Sequence, residues 1–384
     1  MVKAMPKFVA AEGRWPGDAE GRIPMAWPDI GDAERYAAVE ALLSGILCDG
    51  PEVAALEAEF AARVNAKHAI ATASGTAALE ASYLAVDVDG RDVITCPLTF
   101  HATAESARRA GARVRFADVG GDTYTMSPSS TFRVTTLATA AIVPIHYDGV
   151  AVDIEKFLDV AFSCGATVIE DAAHAAGESY PDGTPVGSRA ETLCCFSFNA
   201  QKPMTTLGMG GMVTTGSDEL AERVRMLIRQ GMVRRGPERN QQLRGFNGRM
   251  GEVNAAVGRV QLRRLPGLRA ARKQRARWYL EALAGAVNVE LPPWLDDGSC
   301  IFFPVKLKRQ HKTWAVLDAM SIETAVHYYP VHLQGVWRGH GVAGAGAFPG
   351  AEVTSSWTLS LPSHSLMTKE DVLRVASVVR EVQA

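Results

Sequence analysis

The sequence has no excess of charge of either sign and no long hydrophobic run. Its 384 residues include 40 Lys and Arg against 42 Asp and Glu, which leaves a formal net charge of -2. This balance provides no basic field that would attract nucleic acid or a membrane surface. Charged residues or glycine interrupt the apolar runs well short of the ~20 residues that a membrane-spanning helix needs, and the first residues lack the apolar core of a signal peptide. We therefore expect a cytoplasmic protein that binds neither membranes nor nucleic acids.

The six cysteines form no paired motif. None lies in a CxxC pair, and no group of cysteines and histidines has the spacing of zinc ligands. We therefore predict no metal site, and we expect buried thiols in a reducing cytosol. Cys194 and Cys195 are adjacent in a strand-like run, so their side chains should point to opposite faces of a sheet.

Hydrophobic residues make up 47% of the chain, which is enough for a large core, and the length suggests two domains. Short apolar runs predict strands at residues 68–74, 92–97, 113–119, 140–147, 166–172, 192–198 and 211–215. Helical patterns lie between several of them, at 76–86, 102–110, 153–164 and 218–230. This alternation predicts an α/β fold with a mainly parallel seven-stranded sheet and helices on both faces.

The ends of the chain differ in pattern from this central part. The first thirty residues are rich in Gly, Pro and Trp, and we interpret residues 1–30 as an irregular N-terminal arm. A long helical pattern that starts near residue 251 contains Pro266, which we expect to break the helix. We therefore predict a large domain at 31–265 and a smaller α/β domain at 266–384, with strand-like runs at 301–307 and 324–332.

Ligands of mainly parallel sheets collect at the carboxyl ends of the strands, so the residues that follow each predicted strand are of interest. Gly75 and Thr76 open a predicted helix, where backbone N–H groups and the helix dipole favour an anion. For this pair alone, an ordinary helix N-terminus is the simpler explanation. Phe100 follows the next strand and offers a face for a flat ring, although a single aromatic residue there more often belongs to the core.

Two charged residues follow later strands. Asp171 ends a buried strand, where a carboxylate needs a cationic or hydrogen-bonding partner, and helix capping is the alternative role. Lys202 follows another strand and has the chemistry of a Schiff-base lysine, although a solvated loop charge is the commoner role. Together, the residues at these strand ends supply what pyridoxal 5'-phosphate (PLP) needs: a phosphate cradle, a stacking group, an acid for the pyridine nitrogen and a lysine for the aldehyde.

Seven segments resemble those of the DegT/StrS-type PLP-dependent sugar aminotransferases, in the same order and spacing over nearly the whole chain. They are SGTAALE at 74–80, PLTFHAT at 97–103, VPIHYDG at 143–149, EDAAHA at 170–175, FSFNAQK at 196–202, GFNGRM at 245–250 and HYYPVHLQ at 327–334. The resemblance implies an aspartate-aminotransferase-like fold (PLP fold type I) and an aminotransferase with PLP as its cofactor.

The resemblance also implies roles for individual residues around the cofactor. Lys202 holds PLP as a Schiff base and, once displaced by the amino donor, moves protons, and Asp171 pairs with the pyridine nitrogen. His174 is expected near the phenolic oxygen of PLP, and Phe100 is expected to stack on its ring. The residues that match the phosphate-binding positions are Gly75, Thr76 and Ser197.

Other matching residues concern the partner subunit and the substrate. Asn247 matches an asparagine that reaches the cofactor phosphate of the neighbouring subunit, so we expect a homodimer with shared active sites. Arg229, in the preceding basic loop, is a candidate contact for a substrate phosphate, with a solvated surface charge as the alternative. His327 and His332 lie in a segment that borders the substrate pocket in this family, and structural hydrogen bonding explains them equally well.

The reaction implied by the resemblance is the transfer of an amino group from glutamate or glutamine, through pyridoxamine phosphate, to a keto-sugar. The stretch KPMTT at 202–206 is similar to members that aminate the 4-keto carbon of nucleotide-linked 6-deoxy sugars, in amino-sugar and antibiotic biosynthesis. The alternatives are a 3-keto nucleotide sugar, a keto-inositol of an aminoglycoside pathway, an aromatising lyase or dehydratase, and a regulatory PLP-binding protein. Met209 and Gly248 depart from the family pattern of an acidic residue and a tyrosine, and both are expected near the pocket wall.

Overall fold

The computed structural model describes residues 21–295, 298–338 and 343–384. Most of the predicted arm at 1–30 lies outside the described residues, and its last ten residues are irregular, with an isolated bridge between Ile23 and Ile322. No helix in the described part of the chain is both long and apolar enough to cross a membrane. The domain division at residues 30 and 265 stays a prediction.

Seven strands form the central sheet: β1 (His68–Thr72), β2 (Asp92–Thr95), β3 (Arg113–Phe116), β4 (Thr139–Ile142), β5 (Thr167–Asp171), β6 (Thr192–Ser197) and β7 (Gly211–Thr215). Their order across the sheet is β1-β7-β6-β5-β4-β2-β3. Strands β2 to β6 pair in parallel, whereas β7 is antiparallel to both β1 and β6. The prediction of an α/β fold with a mainly parallel seven-stranded sheet is therefore confirmed.

The helices of this part are α1 (Asp32–Leu43), α2 (Pro51–Val64), α3 (Gly75–Ala85), α4 (His101–Arg109), α5 (Pro128–Val134), α6 (Ile154–Cys164) and α7 (Asp218–Leu227). Serine side chains cap three of them, α3, α5 and α7. The Ser74 hydroxyl accepts a hydrogen bond from the Ala77 amide at the start of α3, and Ser217 does the same for Leu220 in α7. These bonds satisfy N–H groups that the first helical turn leaves unpaired.

Alternate residues of the central strands enter two different hydrophobic layers. On one face, the ring of Phe196 packs edge-on against Phe60 of α2, with centroids 5.0 Å apart. On the other face, Leu193 packs in a layer with residues of α3, α4 and α7. Cys194 and Cys195 lie in different layers, as predicted. Burial of each large apolar side chain contributes roughly 1.5–3 kcal/mol, so helices on both faces are strongly held to the sheet.

Helix α8 (Glu252–Leu283) continues for 32 residues through Pro266, and the prediction that this proline breaks the helix is wrong. A proline in a helix interior costs about 3 kcal/mol, because it removes one N–H and crowds the preceding turn. Leu262, Leu265 and Leu268 are buried on both sides of it, and each contributes roughly 1.5–3 kcal/mol. Packing on the core therefore outweighs the local cost.

The hairpin of β8 (Met232–Arg235) and β9 (Glu238–Gln241) precedes α8. After α8, a three-stranded antiparallel sheet forms in the order β10-β11-β12, from β10 (Val289–Glu290), β11 (Phe302–Leu307) and β12 (Thr358–Pro362). The helices of this region are α9 (Gln310–Ala319), α10 (Pro349–Trp357) and α11 (Lys369–Gln383).

One of the two strands predicted in this region is confirmed and one is wrong. The run at 301–307 forms β11, whereas the run at 324–332 is irregular. Within that run only an isolated bridge between Ala325 and Ser360 resembles strand pairing. Pro330 has no N–H for a strand ladder, and the chain turns at Val331–Leu333. Residues 326–328 instead line the cavity described next.

Candidate active site

A cavity of about 600 Å³ opens at the edge of the sheet where the parallel strands end. This is the edge at which α/β sheets bind their ligands, and the volume lies in the range of small-molecule sites. The cavity brings together most of the residues that the sequence predicts to be functional. The predicted residues in its lining are Gly75, Thr76, Phe100, Asp171, His174, Ser197, Lys202 and His327.

One end of the cavity has the form of an anion cradle. Gly75 is the first residue of α3, and Thr76 and Ser197 lie beside it in the cavity lining. A Cβ atom at residue 75 would lie 2.7 Å from the Cβ of Ser197, so a side chain there would fill the cradle. Free backbone N–H groups and the helix dipole at this end favour an anion, which fits the phosphate of PLP.

Asp171 lies at the end of β5, is 6% exposed, and has both carboxylate oxygens hydrogen-bonded. The Thr103 hydroxyl donates to its Oδ2 at 2.6 Å, and the Ala173 amide donates to its Oδ1 at 3.1 Å. These bonds hold the carboxylate in one orientation at the cavity wall. A buried carboxylate held in this way fits a cationic pyridine nitrogen.

Lys202 follows β6 and lines the cavity. Burial lowers the pKa of its amine to about 8, although the nearby charges of Asp171 and Asp148 act in the opposite direction. The backbone of this loop is held by Arg272 of α8, which donates to the carbonyl oxygens of Pro203 at 2.8 Å and Lys202 at 3.1 Å. An amine with a lowered pKa reacts more readily with an aldehyde and accepts or returns protons near neutral pH.

His174 is buried beside Asp171 and has both ring nitrogens occupied. Its Nδ1 accepts a hydrogen bond from the Asp148 amide at 3.2 Å, and its Nε2 lies 3.1 Å from the Tyr328 hydroxyl. Burial, together with the charge of Lys202, holds the pKa of His174 well below its usual range. The imidazole is therefore neutral.

Phe100 directly precedes α4 as its N-cap residue and is 50% exposed, which is unusual for a phenylalanine of the core. Its ring lies in the cavity lining, with its centroid 6.2 Å from that of Tyr328. An exposed ring at a cavity wall offers a face on which a flat ligand stacks. The core role that the sequence left open for Phe100 therefore does not describe its position.

Three predicted residues lie outside the lining of this cavity: Asn247, Arg229 and His332. Asn247 is exposed and accepts a hydrogen bond from Arg249 at 3.2 Å, and Arg229 forms an ion pair with Asp49 at 3.0 Å. Arg229 belongs to a second, smaller cavity of about 250 Å³, which we call the arginine pocket. Its lining residues are Asp49, Arg229, Gln230, Met232, Arg239 and Arg249.

The two predicted histidines occupy different environments. His327 lines the main cavity, with its ring stacked on Phe302 at a centroid distance of 4.0 Å. Burial and the charge of Lys202 lower the pKa of His327 to about 3, and its buried Nδ1 has no hydrogen-bond partner among the described residues. His332 instead bonds to Glu352 at 3.1 Å within an aromatic cluster, which favours the structural role left open for it.

The two residues that depart from the family pattern, Met209 and Gly248, lie in different places. Met209 lines the main cavity. Gly248 is buried outside the cavity lining, and a Cβ atom there would lie 2.6 Å from the ring of Phe246. The Gly248 carbonyl oxygen accepts from the Ala73 amide at 2.7 Å, next to Ser74 of the lining, so the expected place of this residue near the pocket wall stays a prediction.

Three residues of the site are not among those that the sequence predicts to be functional. Thr103 orients Asp171, Tyr328 bonds to His174, and Asp148 donates to His174. Thr103 and Tyr328 lie inside motifs that resemble the family, so their polar side chains were a usable signal. Asp148 acts through its backbone amide, which no sequence pattern identifies.

Comparison with known proteins agrees with this geometry. The family model described as the DegT/DnrJ/EryC1/StrS aminotransferase family matches residues 28–380. The spore coat polysaccharide biosynthesis protein SpsC of Bacillus subtilis is 35% identical over 379 residues, which cover 94% of this chain and 97% of that protein.

Two solved structures have the same fold. S. venezuelae DesV, solved with a ketimine intermediate, is 32% identical with a TM-score of 0.87, and the match covers 94% of this chain and 98% of DesV. Helicobacter pylori PseC, an aminotransferase involved in the biosynthesis of pseudoaminic acid, is 25% identical with a TM-score of 0.88, and the match covers 94% and 99%. The PLP fold type I is thereby confirmed, and the chain belongs to the DegT/DnrJ/EryC1/StrS aminotransferase family as a PLP-dependent sugar aminotransferase.

Proposed function

We propose that this enzyme attaches PLP to Lys202 and moves an amino group from glutamate or glutamine to a nucleotide-linked 4-keto-6-deoxy sugar. The observation that carries the proposal is the arrangement of Lys202 and Asp171 in one cavity. The amine has a pKa of about 8, and the carboxylate is held by Thr103 at 2.6 Å. These are the two groups that PLP chemistry requires from a protein.

The residues of the cavity have different proposed roles in the reaction. Bound PLP supplies an electron sink that stabilises a carbanion. Asp171 keeps the pyridine nitrogen protonated, and the Lys202 amine carries the proton between the donor carbon and the cofactor. Phe100 holds the ring, and the phosphate is bound where α3 begins. The cradle residues are Gly75, Thr76 and Ser197.

The sugar class rests on the relatives and on the cavity. SpsC is named for spore coat polysaccharide biosynthesis, and KPMTT is similar to 4-aminating members. Met25 and Met209 line the cavity, and their apolar side chains suit the methyl group of a 6-deoxy sugar. His327 offers an unpartnered Nδ1 for a sugar hydroxyl. A role in amino-sugar or antibiotic biosynthesis, in the cytoplasm, follows from this substrate class.

We also propose a homodimer in which Asn247 and Arg229 serve the site of the partner. Asn247 is exposed and lies outside its own chain's cavity lining. The end of α1 and the segment between α1 and α2 lie nearby, since Cys48 bridges to Gly251, and they expose large apolar side chains. These are Leu42, Leu43, Ile46 and Leu47. An exposed apolar patch of this kind is typical of a protein–protein interface.

The proposal is tested by absorbance spectroscopy of the purified protein. It should be yellow, borohydride should fix PLP on Lys202 in the peptide mass spectrum, and glutamate or glutamine should convert the cofactor to pyridoxamine phosphate. A panel of 4-keto-6-deoxy nucleotide sugars, 3-keto nucleotide sugars and keto-inositols is then added, and the return of the yellow colour identifies the acceptor. A colourless protein, or a label on a different lysine, would refute the proposed role of Lys202. Return of the colour with a different acceptor class would refute the substrate.

A further inference from the structure

Hydrogen bonds to its ring and to its backbone fix the position of His174. Its Nδ1 accepts from the Asp148 amide at 3.2 Å, and its carbonyl oxygen accepts from the Ser299 hydroxyl at 2.7 Å. Asp148 itself is 1% exposed, has a backbone φ of 48°, and accepts a hydrogen bond from the Ile301 amide at 3.1 Å. The amide that meets His174 is therefore held in one place.

These contacts determine which ring nitrogen of His174 carries the proton. A backbone N–H only donates, so Nδ1 must accept and carries no proton. The imidazole is neutral, because burial and the charge of Lys202 keep its pKa well below the usual range. Its single proton is therefore on Nε2, which donates to the Tyr328 hydroxyl at 3.1 Å.

Tyr328 is consequently left with its own hydroxyl proton to donate. Burial raises the pKa of this phenol, and the charges of Asp171 and Asp148 act in the same direction, so the phenol stays protonated. Among the described residues, the only hydrogen bond of the hydroxyl is the one to His174. Tyr328 lines the cavity together with Phe100 and Lys202, so its hydroxyl proton is available to a molecule bound there.

We propose that Tyr328 donates a hydrogen bond to an electron-rich oxygen of a molecule bound in the cavity, and that Asp148 and His174 are positioning residues that set the direction of this bond. The inference rests on the proposed function and deepens it. The acceptor is an oxygen conjugated to the reacting centre: the phenolic oxygen of PLP or the keto oxygen of the sugar. If the acceptor is the phenolic oxygen, Tyr328 takes over the contact that the resemblance implies for His174, because the Nε2 proton of His174 is directed to Tyr328.

Replacing Tyr328 by Phe removes the donor and keeps the ring. Tyr124→Phe is the control, because Tyr124 is a buried tyrosine of the neighbouring aromatic cluster that lies outside the cavity lining. The readout is an absorbance titration of the bound chromophore against pH. If the acceptor is the phenolic oxygen, Y328F raises the chromophore pKa by roughly one to two pH units, since a donor stabilises the anionic form. Y124F leaves it unchanged.

If the acceptor is the keto oxygen, the titration of Y328F stays as in wild type and the half-reaction with the amino donor is unaffected. The return half-reaction with the keto-sugar then slows by roughly tenfold or more. Should Y328F match Y124F in the titration and in both half-reactions, the inference is overturned while the proposed function stands. A wild-type protein without cofactor colour would overturn both.

The direction of the bond is tested by an isosteric pair at His174. In His174→Gln, the amide oxygen accepts from the Asp148 N–H and the amide nitrogen donates to Tyr328, as the imidazole does. In His174→Glu, the ionised carboxylate only accepts, so the Tyr328 proton turns toward it and away from the cavity. H174E should therefore show the same change as Y328F, either in the chromophore pKa or in the rate of the half-reaction with the keto-sugar. The change in H174E should be larger than the change in H174Q. Equal effects of the two variants would show that direction does not matter.

Discussion

The main cavity and the arginine pocket both contain residues that the sequence predicts to be functional, but these residues are placed differently in the two regions. In the main cavity, Asp171 and Lys202 face a common space of about 600 Å³, and each is held by residues of the same chain. In the arginine pocket, Arg229 and Arg249 are paired with Asp49 on the outside of the molecule. The residues proposed for the chemistry thus lie within one chain, whereas the phosphate contacts proposed for Asn247 and Arg229 require a second one.

The largest loss of turnover should come from Lys202→Ala in the main cavity. Without the amine there is no Schiff base and no proton carrier, so turnover should fall by roughly 10⁴-fold, the upper range of general acid–base catalysis. The measurement is the rate of conversion of bound cofactor by glutamate. Lys156→Ala, at an exposed lysine paired with Asp153, is the control, and a comparable loss there would contradict a special role for the cavity.

Asp171→Asn should have the next largest effect. The neutral amide no longer stabilises a protonated pyridine nitrogen, and a hydrogen bond between charged groups is worth about 1.5–3 kcal/mol, so turnover should fall by roughly 10- to 150-fold. Thr103→Val removes the 2.6 Å bond to Asp171 and should cost about tenfold or less. Single-turnover absorbance measures both. A larger loss in T103V than in D171N would show that the hydroxyl acts on something else.

Asn247→Ala, at a residue bonded to Arg249 of the arginine pocket, tests whether this side of the molecule serves the partner subunit. Loss of one hydrogen bond to a phosphate should weaken PLP binding by about tenfold, so the variant is assayed at limiting cofactor. When N247A and K202A are unfolded and refolded together, hybrid dimers contain one intact site. The mixture should regain about a quarter of wild-type activity, since half of the dimers are hybrids. Activity no higher than the average of the two separate variants would refute the shared site.

The smallest expected effect is a change in the pH at which the Lys202 amine becomes reactive. In the cofactor-free protein, reductive labelling of this amine by a small aldehyde requires the neutral form, so labelling should rise with pH and reach half its maximum near pH 8. The charge of Asp171 raises this pKa, so Asp171→Asn should move the midpoint to lower pH. Mass spectrometry of the labelled peptide gives both curves. A midpoint near the ordinary lysine pKa of 10.5 would contradict the effect of burial.

Much of the main cavity was predictable from the sequence, because its parts follow strands that are recognisable locally. Gly75, Phe100, Asp171 and Lys202 each lie within a few residues of the end of a predicted strand, and all line the cavity. The errors occurred where long-range packing overrode local preference. Pro266 continues a helix that the core holds on both sides, and residues 324–332 leave the strand conformation to line the cavity.

The sequence by itself determined the order of strands and helices, the fold family and the strand-end residues, because hydrophobic periodicity and short motifs are properties of neighbouring residues. Only the tertiary structure decided the pKa of Lys202, the orientation of Asp171 by Thr103, the proton position on His174 and the exclusion of Asn247 from its own cavity. Each of these depends on burial or on partners distant in the chain, such as His174 and Tyr328, which are 154 residues apart. Such contacts arise only when the chain is folded, and they determine where protons and charges lie.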